Sequence, residues 1–360
     1  MLRKRLRLFL CFFCVLCVLC LSSPGFGPAF ISAFQGAVAE PANPFRFAVI
    51  GDSGSGDEGQ YRIGQRMAEW HARRPFGLVL MLGDNIYGGV FNLGGGNKKD
   101  FVEKFDRPYA ELLRRGVVFR AALGNHDVQT RDGRDVIESY ERFHIERPEG
   151  YYSFTAGALP DGSPLVEFFV INTLRLEEDK KDPEQLAWLE QALKASRARW
   201  QIVYGHHPMY STGKRHGADE EMRAKLEPVL TGEKESPEAG ASGLRGGIGQ
   251  PRVQAVLAGH DHIYQRFHPQ KGIAYFVCGS SGKLRRGNAK PSGDVAAVND
   301  RERVFMLWEA TPEELRFYAV NERGEAFDCG VLRHGQPLHA AECGALTASP
   351  KEASEQTAQR

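Results

Sequence analysis

Five short apolar runs in this chain each end in a glycine followed at once by metal-binding or proton-moving side chains. The clusters are Gly51-Asp52-Ser53-Gly54, Gly83-Asp84-Asn85-Ile86-Tyr87, Gly124-Asn125-His126-Asp127, Gly205-His206-His207-Pro208 and Gly259-His260-Asp261-His262. A carboxylate or imidazole just past a buried strand sits in the crevice where open α/β sheets hold ligands. Each cluster also has a bland reading, because Gly-Asp-Asn makes ordinary turns and an aspartate caps helices. Five such coincidences in sequence order favour one shared crevice over five unrelated turns.

The elements between the clusters set the fold class. Phe45–Ile50, Leu78–Leu82 and Val117–Ala121 are expected strands, separated by expected helices near Gln60–Arg73 and Phe101–Arg114. Tyr151–Thr155 and Leu165–Ile171 form an expected hairpin around Pro160-Asp161-Gly162. Pro183–Ser196 has proline at its start and Leu186, Leu189, Ala192 and Leu193 on one helical face. Gln201–Tyr204 is a further strand and Glu220–Leu230 a further helix. Strands then come in a run at Val253–Leu257, Ile273–Val277, Val304–Trp308 and Leu315–Val320. Helices alternating with early strands, followed by strands in succession, predict a four-layer α-β-β-α sandwich. Its two mixed sheets pack face to face with helices outside. One domain over residues 40–335 is expected, with a disordered polar tail over 336–360 and loops at 88–97 and 231–250.

Composition bounds the partners. Residues 1–39 hold four basic residues and no acid, so the net charge of +1 becomes −3 for the remainder. A slightly acidic body excludes nucleic acid as a bulk-charge partner. The same N-terminal segment is basic, then apolar from Leu8 to Leu21, then closes on Ala37-Val38-Ala39. That order predicts a signal peptide over 1–39 and an exported protein, with an uncleaved N-terminal membrane anchor as the alternative. Four of the seven cysteines lie in this segment. Of the others, Cys329 and Cys343 could pair after export, and Cys278 lies in a buried run.

The ordered set Asp-x-Gly, Gly-Asp-x-x-Tyr, Gly-Asn-His-Asp, Val203-Tyr204-Gly205-His206 and Gly-His-x-His resembles the calcineurin-like metallophosphoesterases. It is most similar to the purple acid phosphatases of the small tartrate-resistant type. Many relatives carry histidine two residues after the first aspartate; here that place is Gly54, and Tyr87 stands as the replacement ligand. The resemblance implies a first metal on Asp52, Asp84, Tyr87 and His262, suited to Fe(III). It implies a second on Asp84, Asn125, His206 and His260, suited to divalent Fe, Zn or Mn. It further implies hydrolysis of small phosphate monoesters by metal-bound hydroxide. A trivalent ion acidifies water strongly, which links Tyr87 to an acid optimum. His126 is the implied general acid, Asp127 its orienting partner, and His216 a substrate-binding histidine, with His207 a second candidate there. A phosphoesterase acting on diesters or nucleotides, and a non-catalytic metal- or phosphate-binding protein, remain the other readings. Gly-Asp-Ser-Gly does not make a serine hydrolase: no histidine precedes Ser53, and no histidine has aspartate three residues before it.

Overall fold

A computed structural model of the chain describes residues 44–88, 98–129, 134–177, 182–232 and 251–344. The expected signal segment, the glycine-rich loop past Gly88, most of the 231–250 loop and the chain after Gly344 lie outside them. Two seven-stranded sheets carry the fold. The first contains β1 (Phe45–Ile50), β2 (Leu78–Met81), β3 (Val118–Ala121), β11 (Val304–Ala310), β12 (Glu314–Asn321), β13 (Ala326–Arg333) and β14 (His339–Ala341), in the order β14-β13-β12-β11-β1-β2-β3. The second contains β4 (Tyr152–Ala158), β5 (Pro164–Val170), β6 (Trp200–Tyr204), β7 (Ala255–Ala258), β8 (Tyr264–Phe267), β9 (Ala274–Cys278) and β10 (Val295–Asn299), in the order β10-β8-β9-β7-β6-β5-β4. Parallel pairing runs through β1, β2 and β3 in one sheet and through β5, β6, β7 and β9 in the other; the remaining pairs are antiparallel.

Aromatic side chains join the sheets. Phe47 on β1 meets Phe168 on β5 edge-on at 5.0 Å, and Phe276 on β9 meets Trp308 and Phe317 at 5.3 and 4.9 Å. Three longer helices cover the outside. α1 (Glu58–Arg73) starts at Asp57, whose carboxylate caps the Gln60 amide, and buries Ile63, Met67 and Trp70. α2 (Pro183–Ala195) and α3 (Glu220–Thr231) bury Leu189, Leu193, Met222 and Leu226 against Val203, Val256 and Tyr275 of the second sheet. The four-layer sandwich expected from the sequence is therefore the one observed.

Two expectations are corrected. The single helix over Phe101–Arg114 is broken: a wide turn over Val102–Asp106 leads to a turn at Pro108, and helix resumes at Ala110–Arg114. Proline has no N–H to donate to the preceding turn, which interrupts the ladder. The disordered tail does not begin at Gln336: β14 pairs with β13, and Cys343 is disulfide-bonded to Cys329.

Candidate metal centre

The parallel strands deliver the clusters. Asp52 follows β1, Asp84 and Tyr87 follow β2, Asn125 follows β3, His206 follows β6, and His260 and His262 follow β7. All stand past carboxyl ends of strands, where the two sheets open together. Asp52, Asp84 and His260 have φ of 52°, 51° and 69°, the left-handed region that side chains other than glycine rarely enter. The strain is held by hydrogen bonds. The His260 amide donates to Asp52 Oδ2 at 2.7 Å, and the His126 amide to Asp84 Oδ1 at 2.8 Å. Two glycines make room: a Cβ at Gly124 would stand 2.3 Å from Asp84 Oδ1, and one at Gly259 would stand 2.6 Å from Asp52 Oδ2.

The donors fall into two groups beside Asp84. In the first, Tyr87 Oη lies 3.1 Å from Asp52 Oδ1 and 3.2 Å from His262 Nε2, which is itself 3.4 Å from Asp52 Oδ1. In the second, His206 Nε2 lies 3.0 Å from Asn125 Oδ1, 3.1 Å from His260 Nδ1 and 3.5 Å from Asp84 Oδ1; His260 Nδ1 is also 3.1 Å from Asn125 Oδ1. His206 Nδ1 donates to the Leu82 carbonyl at 2.8 Å, so its Nε2 presents a bare lone pair. Lone pairs of an imidazole, an amide oxygen and a carboxylate crowding one point fit a cation.

The protonation tendencies agree. Burial raises Asp52 well above the usual carboxylate range, against His206 and with Asp84 adding to the rise. Burial also acts on Asp84, but the neighbouring His206 and His126 and the His126 amide outweigh it and leave Asp84 low. Burial holds the His262 imidazole down to about 4, opposed by Asp84 and reinforced by Arg285 and Lys283. Burial and four neighbouring histidines hold His260 lower still, so both rings are neutral and fit to bind metal. Burial, Asp52 and Asp84 push the Tyr87 phenol far above its ordinary range. A phenolate there requires a cation to displace the proton.

The other expected residues divide. His126 is half-buried, its ring 4.5 Å from that of Tyr87, and Gln129 Nε2 lies 3.0 Å from its Nδ1, which leaves the ring proton on Nε2. His216 is exposed, with its ring 4.1 Å from that of His260. His207 lies 4.3 Å from the same ring, but its nitrogens are engaged by Thr173 Oγ1 and Glu177 Oε1, both at 2.9 Å. Asp127 is corrected. Its oxygens accept from the amides of Asn85, Ile86 and Gly124 and from Asn85 Nδ2, at 2.8–3.1 Å, and not from the His126 ring. It clasps the Asp84 loop to the Asn125 loop.

Two residues at the site have roles that the sequence does not assign. Asp261 is buried and accepts from Ser211 Oγ and the Gly217 amide, fastening the His216 loop to the turn between His260 and His262. Lys283 places its ammonium 4.7 Å from the centre of the Tyr87 ring.

The model of the calcineurin-like phosphoesterase family matches residues 45–264, more than half of the chain and all of the strands that bear these donors. The chain belongs to the calcineurin-like phosphoesterase family. Within curated members, it is 26% identical to the pig tartrate-resistant acid phosphatase type 5 over 342 residues, covering 87% of this chain and 94% of the relative. It is 28% identical to the Arabidopsis thaliana purple acid phosphatase 17 over 268 residues, covering 68% of this chain and 70% of the relative. A solved structure, Plasmodium GAP50, described as the anchor in the inner membrane complex, superposes with a TM-score of 0.63 at 18% identity, covering 87% of this chain and 94% of that one. Among the described residues of this family member, no helix is long and apolar enough to cross a membrane.

Proposed function

We propose that the chain is a dinuclear-metal phosphatase of the acid phosphatase type, hydrolysing small phosphate monoesters. The observation that carries the reading is the convergence of Asp52, Tyr87 and His262 on one side of Asp84 and of Asn125, His206 and His260 on the other. The neighbour described as an anchor has a similar fold, so the fold alone does not argue for turnover; the converging donors do. The oxygen-rich, phenol-bearing first group suits Fe(III), and the imidazole-rich second suits divalent Fe, Zn or Mn. Two such ions, when bound, neutralise phosphate charge and acidify water for an in-line displacement.

The chain's own residues supply the rest. Asp84 lies between both groups and would bridge them. His126, with its proton on Nε2 and its ring beside Tyr87, would protonate the leaving oxygen. His216, exposed next to His260, would meet the substrate phosphate from the opposite loop. We further infer export, with removal of the N-terminal segment near Ala39; the Cys329–Cys343 disulfide supports an oxidising compartment. Phosphate release from phenyl phosphate by protein loaded with iron and zinc tests the activity. Release at acid pH is expected. Metal-loaded protein that turns over no phosphoester would leave a metal- or phosphate-binding module instead.

A further inference from the structure

β9 is another parallel strand that ends at the site, and its loop brings charge rather than ligands. Gly279-Ser280-Ser281-Gly282-Lys283-Leu284-Arg285 is stitched to the first donor group by its backbone. The Lys283 amide donates to the Asp52 carbonyl at 3.0 Å, and the Arg285 amide to the His262 carbonyl at 3.0 Å. A Cβ at Gly282 would stand 2.4 Å from the Ser53 carbonyl oxygen, so only glycine lets the loop lie this close. The Lys283 side chain is half-buried, with Nζ 4.7 Å from the Tyr87 ring centre. The His126 ring is 4.5 Å from that same ring. Lys283 and the His126 ring, which the proposed reaction uses as the acid toward the leaving oxygen, thus both flank Tyr87. Arg285 follows two residues later on the same docked loop, held there by its amide bond to the His262 carbonyl.

Nearby basic residues are neutralised: Arg303 pairs with Asp57 at 3.2 Å and Lys104 with Asp100 at 2.7 Å. Among the described residues, neither Lys283 nor Arg285 forms an ion pair with a carboxylate. An ordinary surface lysine is solvated and unconstrained. This one lies over the ring of Tyr87, on a loop docked by its backbone to two donor residues.

We propose that Lys283 and Arg285 form a second oxyanion subsite on the leaving-group side. It selects phosphate monoesters whose leaving group carries its own carboxylate or phosphate. The inference rests on the phosphatase reading and deepens it. In the reaction, water oxygen bonds to phosphorus, the bond from phosphorus to the leaving oxygen breaks, and that oxygen takes its proton from His126. The second oxyanion is unchanged and is held by Lys283 and Arg285.

The test compares 3-carboxyphenyl phosphate with phenyl phosphate, whose leaving groups differ in charge and little in basicity. Calorimetric binding of methylenebisphosphonate against methylphosphonate to the metal-loaded protein gives a readout without turnover. Wild type should prefer the doubly anionic member of each pair, and added salt should shrink the preference. Lys283→Gln should lower that preference about tenfold, the scale of one hydrogen bond to a charged group. Lys283→Arg should retain it. Absence of a preference in wild type, or equal losses on both members in Lys283→Gln, overturns the subsite. If neither ester is hydrolysed while the bisphosphonate preference and its loss in Lys283→Gln persist, the phosphatase reading falls and the anion subsite stands.

Discussion

Asp127→Asn tests whether this buried carboxylate is a clasp. Oδ1 accepts from the amides of Asn85 and Ile86 at 2.9 and 3.1 Å, and Oδ2 from Asn85 Nδ2 and the Gly124 amide, both at 2.8 Å. In either orientation, an asparagine points its NH2 at two of these four donors. Two buried N–H groups then lose their acceptor, at about 1–3 kcal/mol each. Removing a charge that burial and Asp84 already disfavour offsets part of the loss. The net cost is about 3 kcal/mol, or roughly 6 °C in melting temperature. The loosened pieces are the Asp84 loop and the turn beginning at Gly124, so metal affinity should fall about 10–100-fold. Differential scanning calorimetry of metal-free protein and a zinc titration read the two effects. A melting temperature within about 1 °C of wild type, together with unchanged zinc affinity, refutes the clasp. A rate loss that grows with leaving-group basicity, with stability intact, would instead return Asp127 to the role of His126's partner.

Other outcomes follow from single contacts. His126→Ala should slow alkyl phosphates more than nitrophenyl phosphate, because the better leaving group needs less protonation; equal losses would reject the acid role. Tyr87→Phe keeps the ring but removes Oη, so iron-loaded protein should lose a phenolate charge-transfer band while its far-UV circular dichroism stays unchanged. An identical visible spectrum would reject Tyr87 as an iron ligand. Glu309 accepts from Arg46 at 2.6 Å, Arg74 at 2.9 Å and Tyr318 at 3.1 Å; burial raises its pKa, but these partners outweigh it and hold the carboxyl low. A depressed folded pKa means stability that is complete above about pH 4.3 and lost as pH falls through the folded value. Glu309→Gln should therefore be about 1–3 kcal/mol less stable at neutral pH, with the gap closing in acid; a gap independent of pH would contradict the pairing.

The strand-end donors were legible because each follows an uninterrupted apolar run, so strand, turn and ligand are adjacent in the chain. Elements whose burial depends on distant partners were not. Tyr264-Gln265-Arg266-Phe267 is a buried strand, but Arg266 is neutralised by Asp328 at 2.8 Å and Gln265 is satisfied by the Thr212 amide at 3.0 Å. β13 hides its strand character in Asp328, which Arg266 and Tyr264 satisfy, and in Gly330, where a Cβ would stand 2.6 Å from the Phe317 ring. β10 is only partly buried, so its sequence Val-Ala-Ala-Val-Asn carries little apolar signal. Asp127 was assigned to its chain neighbour, whereas its hydrogen bonds run to a loop 41–42 residues earlier and to Gly124. The β9 loop had a local signal, an apolar run ending in Gly-Ser-Ser-Gly-Lys, but its lysine and arginine are not ligand types and so did not stand out.

The central claim is a two-ion centre bridged by Asp84, and counting metals per chain tests it most directly. Elemental analysis of protein reconstituted with iron and zinc should give two ions per chain in wild type, with Asp84→Asn retaining less than half of that content. Wild type that holds no ions, or Asp84→Asn that holds as many as wild type, would contradict it.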